Sequence, residues 1–248
     1  MPNDFLNIFR RTHMVGATVV GPRHVRERSL NQDAWSAVLC NSGAMIVVSD
    51  GVGSARHSRV GSRCACRAAT ETFTHLGNDF TLEQLTTGIV NRWHHLIDNY
   101  NPIECAATCL VAVRLNSGRL VVGGIGDGIA AVVGCNIPNR YQVIQLIGGE
   151  FGETVALGDG QESHGWVFEE FNDAPATICT ILATDGISND LVHERLPDFA
   201  VWLCERFKKT SRRKWRTGLR RELSEWPNPR SSDDKTIALL WREERSLQ

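Results

Sequence analysis

Short apolar runs broken by turn residues fill most of the chain, and their order predicts its elements. Val15–Val20 reads as a first strand, closed by the turn Gly21-Pro22. A charged loop, RHVRERSL, and an Asn31-Gln32-Asp33 turn lead into a strand from Ala34 to Cys40. Asn41-Ser42-Gly43 then reads as a hairpin turn into Ala44–Val48, a wholly apolar run with the look of a buried strand. That run stops abruptly at Asp50-Gly51. Antiparallel pairing of the two strands puts Asp33 and Asp50 at the same end of a sheet. After the loop VGSARHS the period changes from two to near four. A helix is predicted over Arg59–Leu76, with Ser58 as N-cap. A second is predicted over Leu82–Tyr100, where Leu82, Leu85, Ile89, Trp93, Leu96 and Tyr100 form one apolar stripe. Asn101-Pro102 ends it.

The second half returns to strands. ATCLVAVRL, RLVVGGIG, IAAVVG and YQVIQLI, joined by short turns, read as an antiparallel meander. A long glycine-rich acidic loop, GGEFGETVALGDGQESHG, precedes the strands WVFEEF and TICTILAT. GISNDL begins a helical turn, Asp198–Phe207 and Lys214–Trp226 read as helices, and PNPRSSDD leads into a last strand, TIALLW. This order has no regular βαβ alternation, which excludes a doubly wound parallel sheet. Two packed antiparallel sheets with helices outside them fit it, an α+β architecture.

Composition narrows the class. The 248 residues suit one domain, with two small ones the alternative, and 42% hydrophobic content allows a sizeable core. A formal net charge of -1 gives no global attraction to nucleic acid or anionic lipid. The start, MPNDFLNIFRRTH, lacks an apolar signal region, and no apolar run has the length of a membrane span. A cytoplasmic protein that binds neither membrane nor nucleic acid is expected. The eight cysteines show no CxxC or zinc-finger spacing and are expected to be free thiols. The basic stretch KKTSRRKWRTGLRR, with eight cations around one Trp, is expected to be the solvated face of an outer helix and its entry loop.

The chemistry lies in a repeated figure. Three apolar strands end in Asp-Gly: Asp50-Gly51, Asp127-Gly128 and Asp185-Gly186. Asp33 and Asp233 also fall at strand boundaries. A lone Asp-Gly is an ordinary turn. Several carboxylates at converging strand ends would repel one another unless a cation sits among them. Hard oxygen donors without a His/Cys cluster suit Mg²⁺ or Mn²⁺ rather than zinc.

In order along the chain, these segments resemble the motifs of the metal-dependent protein phosphatase 2C family. Arg28-Ser29-Leu30-Asn31-Gln32-Asp33 matches its Arg and Asp five residues apart, with Gln32 where a Glu is usual. Val47-Val48-Ser49-Asp50-Gly51-Val52-Gly53-Ser54 matches its Ala-Asp-Gly-Met-Gly-Gly strand end. Gly126-Asp127-Gly128-Ile129 matches its Gly-Asp-Ser-Arg turn in part. Ala183-Thr184-Asp185-Gly186-Ile187 matches Ala-Ser-Asp-Gly-Leu, and Asp233-Asp234-Lys235-Thr236 matches Asp-Asn-x-Thr. The set covers roughly residues 15–242 and most resembles the compact bacterial members.

The resemblance implies a single catalytic domain over residues 1–248, folded as an αββα sandwich with two Mn²⁺ or Mg²⁺ ions at one end of its sheets. Asp50 would bridge both ions and the Gly51 carbonyl would bind one. Asp185 and Asp233 would hold the first ion, Asp33 would help hold the second, and Asp127 would serve a weaker third. A water bridging the ions would attack a phosphomonoester, and Arg28 would clamp the phosphate. His57, or a water, would protonate the leaving group. The loop GGEFGETVALGDG would take the place of the substrate-selecting flap. The substrate implied is a phosphorylated protein, with a cognate serine/threonine kinase acting opposite. The rival is a degenerate module of the same fold that binds a phosphoprotein or partner without turnover. The kept Asp positions argue against it.

Overall fold

The computed structural model describes residues 12–134, 141–146, 155–172, 178–208, 210–226 and 230–242. Among these residues, two five-stranded antiparallel sheets pack face to face with helices on both outer sides. The first sheet has the order β1 (Thr12–Val19), β10 (Lys235–Arg242), β9 (Ile178–Ala183), β6 (Gly128–Gly134), β7 (Tyr141–Leu146). The second runs β2 (Ala34–Cys40), β3 (Gly43–Ser49), β4 (Cys109–Leu115), β5 (Leu120–Ile125), β8 (Trp166–Phe171). The helices are α1 (Pro22–Glu27), α2 (Ser58–Leu76), α3 (Leu82–Leu96), α4 (Asp185–Ser188), α5 (Leu196–Lys208) and α6 (Arg212–Ser224).

The wholly apolar character of β3 has a simple cause. Both faces of the strand are buried, so its two-residue period is hidden by apolar residues on each side. Ala44, Ile46 and Val48 join Leu110, Ala112 and Val122 against Ala130, Leu182 and Leu240 of the facing sheet. Met45 and Val47 point the other way, to Ala65, Phe73, Ile89 and Trp93 of α2 and α3. A third cluster joins Val15, Ile181, Leu239 and Trp241 of the first sheet to Leu203, Trp215 and Leu219 of α5 and α6. These three layers of side chains define the αββα sandwich that the element order predicts.

The elements follow the sequence reading with particular departures. The β2–β3 hairpin falls where expected, with Ala34 opposite Ser49, so Asp33 and Asp50 do lie at one end. The stretch read as a charged loop is in part a helix, α1, opened by Pro22. Helix α3 stops at Leu96, and Tyr100 is 40% exposed rather than part of the stripe. A capping box starts α3: the Thr81 hydroxyl accepts the Gln84 N–H at 3.1 Å, and Gln84 Oε1 accepts the Thr81 N–H at 2.8 Å. The four strands after residue 106 are not one meander. β4 and β5 pair in the second sheet, and β6 and β7 pair in the first. The chain crosses between sheets at Gly126-Asp127-Gly128, with φ of 108° and 122° at the two glycines, conformations that favour residues without a Cβ.

Cys179 and Cys204 form a disulfide joining β9 to α5, with Cα atoms 6.5 Å apart, which corrects the expectation of eight free thiols. A strand and an overlying helix bring them together at a separation of 25 residues that carries no pairing signal. The basic stretch falls on α6 and its entry. Trp215, Leu219 and Leu223 of the helix turn inward, while Arg213, Lys214, Arg216 and Arg220 are exposed. The segment named as a flap replacement lies partly outside the described residues. Its described end forms a bridge between Leu157 and Ala107. No described helix is long and apolar enough to cross a membrane.

Candidate metal centre

The carboxylates singled out by the sequence come from five separate strand ends, and the fold brings them to one place. Asp50 follows β3. Its N–H donates to Thr108 Oγ1 at 2.8 Å, and its carbonyl accepts the Thr108 N–H at 2.8 Å. Asp33 precedes β2 and is 5% exposed. Its Oδ2 accepts the Thr184 hydroxyl at 2.8 Å, which ties it to the turn bearing Asp185. Asp50 lies within hydrogen-bonding reach of both Asp33 and Asp185. Asp185 in turn feels the charges of Asp127 and Asp233.

Gly51 pairs with Ala107 as an isolated antiparallel bridge. The two bonds of this bridge are Val52 N–H to Ala106 O and Thr108 N–H to Asp50 O, both on neighbouring residues. The Gly51 carbonyl takes part in neither, as in the non-hydrogen-bonded positions of a ladder.

The donor set fits a hard divalent cation. Asp33 Oδ1 and Asp185 Oδ1 are buried, and neither has a hydrogen-bond partner among the described residues. Ionised carboxylate oxygens only accept, so such atoms call for a cation or a proton. Burial pushes the Asp33 carboxyl up to about 7 from an ordinary 3.8. Burial, and then the charge of Asp33, push Asp50 well above its ordinary range. Burial, with Asp127 beside it, raises Asp185 as well. Burial thus favours the protonated form of each group, and a cation among them would favour the ionised form.

The other residues named by the sequence sit around this cluster. Arg28 is the C-cap of α1, in a left-handed conformation with φ 56°, and is exposed. Gln32 lies within the site wall, its N–H donating to Asp234 Oδ2 at 2.6 Å. The His57 ring packs on Tyr100, with centroids 4.8 Å apart, beyond the loop that follows Gly51.

A second group was not visible in the sequence. The Asp234 side chain is fully buried and accepts the Gly21 N–H at 2.8 Å. His24 Nδ1 lies 2.9 Å from Asp234 Oδ2, and Arg23 Nη2 lies 3.0 Å from Asp233 Oδ2. Ligand atoms of His24, Asp233 and Asp234 are close enough together to share one ion. The Asp233-Asp234 doublet was the available signal. Its partners stand more than 200 residues away, and only the β1–β10 pairing joins them.

The loop bearing Asp185 is braced from below by a buried ion pair. Lys235 Nζ donates to Asp190 Oδ2 at 2.9 Å, to the Gly186 carbonyl at 2.5 Å and to the Ser231 carbonyl at 3.2 Å. Asp190 also accepts the Arg230 and Ser231 N–H groups. Asp190→Ala would leave the Lys235 ammonium buried and unpaired. Urea unfolding of this variant should show a loss of about 3–5 kcal/mol. A loss below about 1 kcal/mol would mean that the pair is not structural.

The sequence model of the family described as protein phosphatase 2C matches residues 20–226. Solved structures share the fold. One is a bacterial serine phosphatase, 15% identical with a TM-score of 0.66, the match covering 95% of this chain and 100% of that one. Another is the serine/threonine phosphatase Stp1 from Staphylococcus aureus, 15% identical with a TM-score of 0.63, covering 94% and 95%. A third is the catalytic domain of the serine threonine protein phosphatase PstP in complex with two manganese ions, 14% identical with a TM-score of 0.62, covering 94% and 99%. No curated protein matches the chain by sequence.

Proposed function

The chain belongs to the protein phosphatase 2C family, and from that premise we propose that it is a serine/threonine protein phosphatase dependent on Mn²⁺ or Mg²⁺. The observation that carries the reading is the convergence of five carboxylates from five strand ends, with buried oxygens left without partners. Asp50, between Asp33 and Asp185, is the group placed to serve two ions. Asp185 and Asp233 would hold one ion and Asp33 would help hold the other, with the Gly51 carbonyl as a further donor. Asp127 stands at the sheet crossing, where a third ion would be held. Two such ions would supply an activated water and neutralise charge on the phosphoryl oxygens.

The chain's own residues do the rest. Thr184 and Thr108 fix Asp33 and Asp50, by side chain and by backbone respectively, so the donors are in place before an ion arrives. Arg28 is the arginine that the family resemblance offers to the phosphate, where its planar fork would bind two oxygens. A phosphorylated protein is the substrate proposed, with a serine/threonine kinase as its counterpart. Hydrolysis of p-nitrophenyl phosphate and of a phosphothreonine peptide should appear with Mn²⁺ and vanish in chelator. Full turnover in chelator would overturn the reading. A Mn²⁺-induced thermal shift without turnover would point instead to a module that binds phosphoproteins.

A further inference from the structure

We propose that Arg23 is a second phosphate-binding residue of this centre, held there by His24 and Asp234. The inference rests on the phosphatase reading above and adds a residue that the family motif does not contain.

The segment carrying Arg23 is strapped to the segment carrying Asp233. The Gly21 N–H donates to Asp234, and the Arg23 N–H donates to the Ser232 carbonyl at 2.9 Å. A Cβ on Gly21 would lie 2.2 Å from the Asp233 backbone, so only glycine permits this approach. The side chain is then held at one nitrogen. Arg23 Nη2 lies 3.0 and 3.2 Å from the two Asp233 oxygens and 3.2 Å from His24 Nε2. His24 is 2% exposed, and its Nδ1 faces the buried Asp234 at 2.9 Å.

A guanidinium has five N–H donors in a rigid fork, and only Nη2 is engaged among the described residues. Nε and Nη1 remain for a planar pair of anionic oxygens. The position suits that use. Nη2 lies 3.6 Å from where a Cβ on Gly53 would stand, so the guanidinium sits between Asp233 and the loop that follows Asp50-Gly51. Its side chain is 38% exposed, within reach of a solute.

Charge points the same way. Asp33, Asp50, Asp185 and Asp233 already balance the charge of two divalent ions, so a phosphomonoester dianion would meet no net positive charge without further cations. Arg28 begins the opposite end of α1, about 7 Å further along the helix axis. Arg23 is the guanidinium in contact with a proposed ligand carboxylate.

The test compares wild type with Arg23→Ala, Arg23→Lys, Arg28→Ala and the exposed control Arg26→Ala. Three quantities are measured: binding of inorganic phosphate to the Mn²⁺-loaded protein by calorimetry, KM and kcat for p-nitrophenyl phosphate, and the Mn²⁺ midpoint of the thermal shift. Arg23→Ala should weaken phosphate binding and raise KM about tenfold or more. Its Mn²⁺ midpoint should stay within about twofold of wild type. Arg23→Lys should recover part of the loss, because it keeps the charge without the fork. Arg26→Ala should match wild type. Unchanged phosphate affinity in Arg23→Ala overturns the proposal. So does a Mn²⁺ midpoint that moves as far as the phosphate affinity, since Arg23 would then act only through Asp233. A wild type that never turns over defeats the phosphatase reading alone, and the phosphate calorimetry still decides the role of Arg23.

Discussion

Asp50→Asn should lower phosphomonoester turnover by about a hundred- to a thousandfold while leaving the fold intact. Among the described residues, Asp50 is the carboxylate within hydrogen-bonding reach of both Asp33 and Asp185, which suits it to serve two ions. Asparagine keeps its shape and removes its charge. One amide oxygen cannot hold two cations as a carboxylate can, and no strongly activated water would remain. The scale follows from the electrostatic share of such reactions, in which one well-placed group is worth about 10²–10³. The fold should survive because Asp50 is tied to Thr108 through its backbone N–H and carbonyl. Asp185→Asn and Asp233→Asn should be nearly as damaging. Asp127→Asn should cost less, about tenfold, because the crossing turn that carries it serves a third ion. Steady-state kinetics across a Mn²⁺ titration distinguish these cases. An Asp50→Asn enzyme within tenfold of wild type at saturating Mn²⁺ would remove Asp50 from the role of bridge.

What could be read from the sequence was what short-range pattern determines. The β2–β3 hairpin was legible because a turn triplet joins two apolar runs, and it alone fixes Asp33 and Asp50 at one end. Asp185 and Asp233 were legible as strand ends flanked by small residues. The switch between sheets at Gly126–Gly128 was not, because a glycine turn looks the same whether the next strand folds back or crosses over. Helix α1 was missed because six residues with a single aliphatic side chain, Val25, carry no measurable period and gain little intrinsic stability. The Arg23–His24–Asp234 group was missed for a topological reason. Its members meet only after β1 pairs with β10, and in sequence Arg23 is one of several arginines in a charged stretch. Cys179–Cys204 was hidden similarly, by packing of a helix over a strand.

The second large effect should appear in protein without metal. In chelator, raising the pH from 5 to 7.5 should destabilise the fold, and Mn²⁺ should reverse the loss. Burial pushes the Asp33 carboxyl from 3.8 up to about 7 in the folded chain. Between those values the folded form keeps a proton that the unfolded form has released. Stability from this group is therefore full below about pH 4 and is lost as the pH rises through about 7. Asp50 and Asp185, raised by burial and by their neighbours, act in the same direction. Asp33→Asn removes one titration and one charge. Relative to wild type in chelator it should gain on the order of 1–3 kcal/mol between pH 5 and 7.5. Mn²⁺ binds the deprotonated carboxylates, so its affinity should climb over the same window. At about a hundredfold excess over Kd it should add about 2.7 kcal/mol, or roughly 5–10 °C in Tm for a chain of this size. Thermal melts of both proteins at four pH values, with and without Mn²⁺, give the comparison. A wild-type profile that is flat in chelator, or an Asp33→Asn profile parallel to it, would mean that the carboxylates are not held together by the fold before the ions bind.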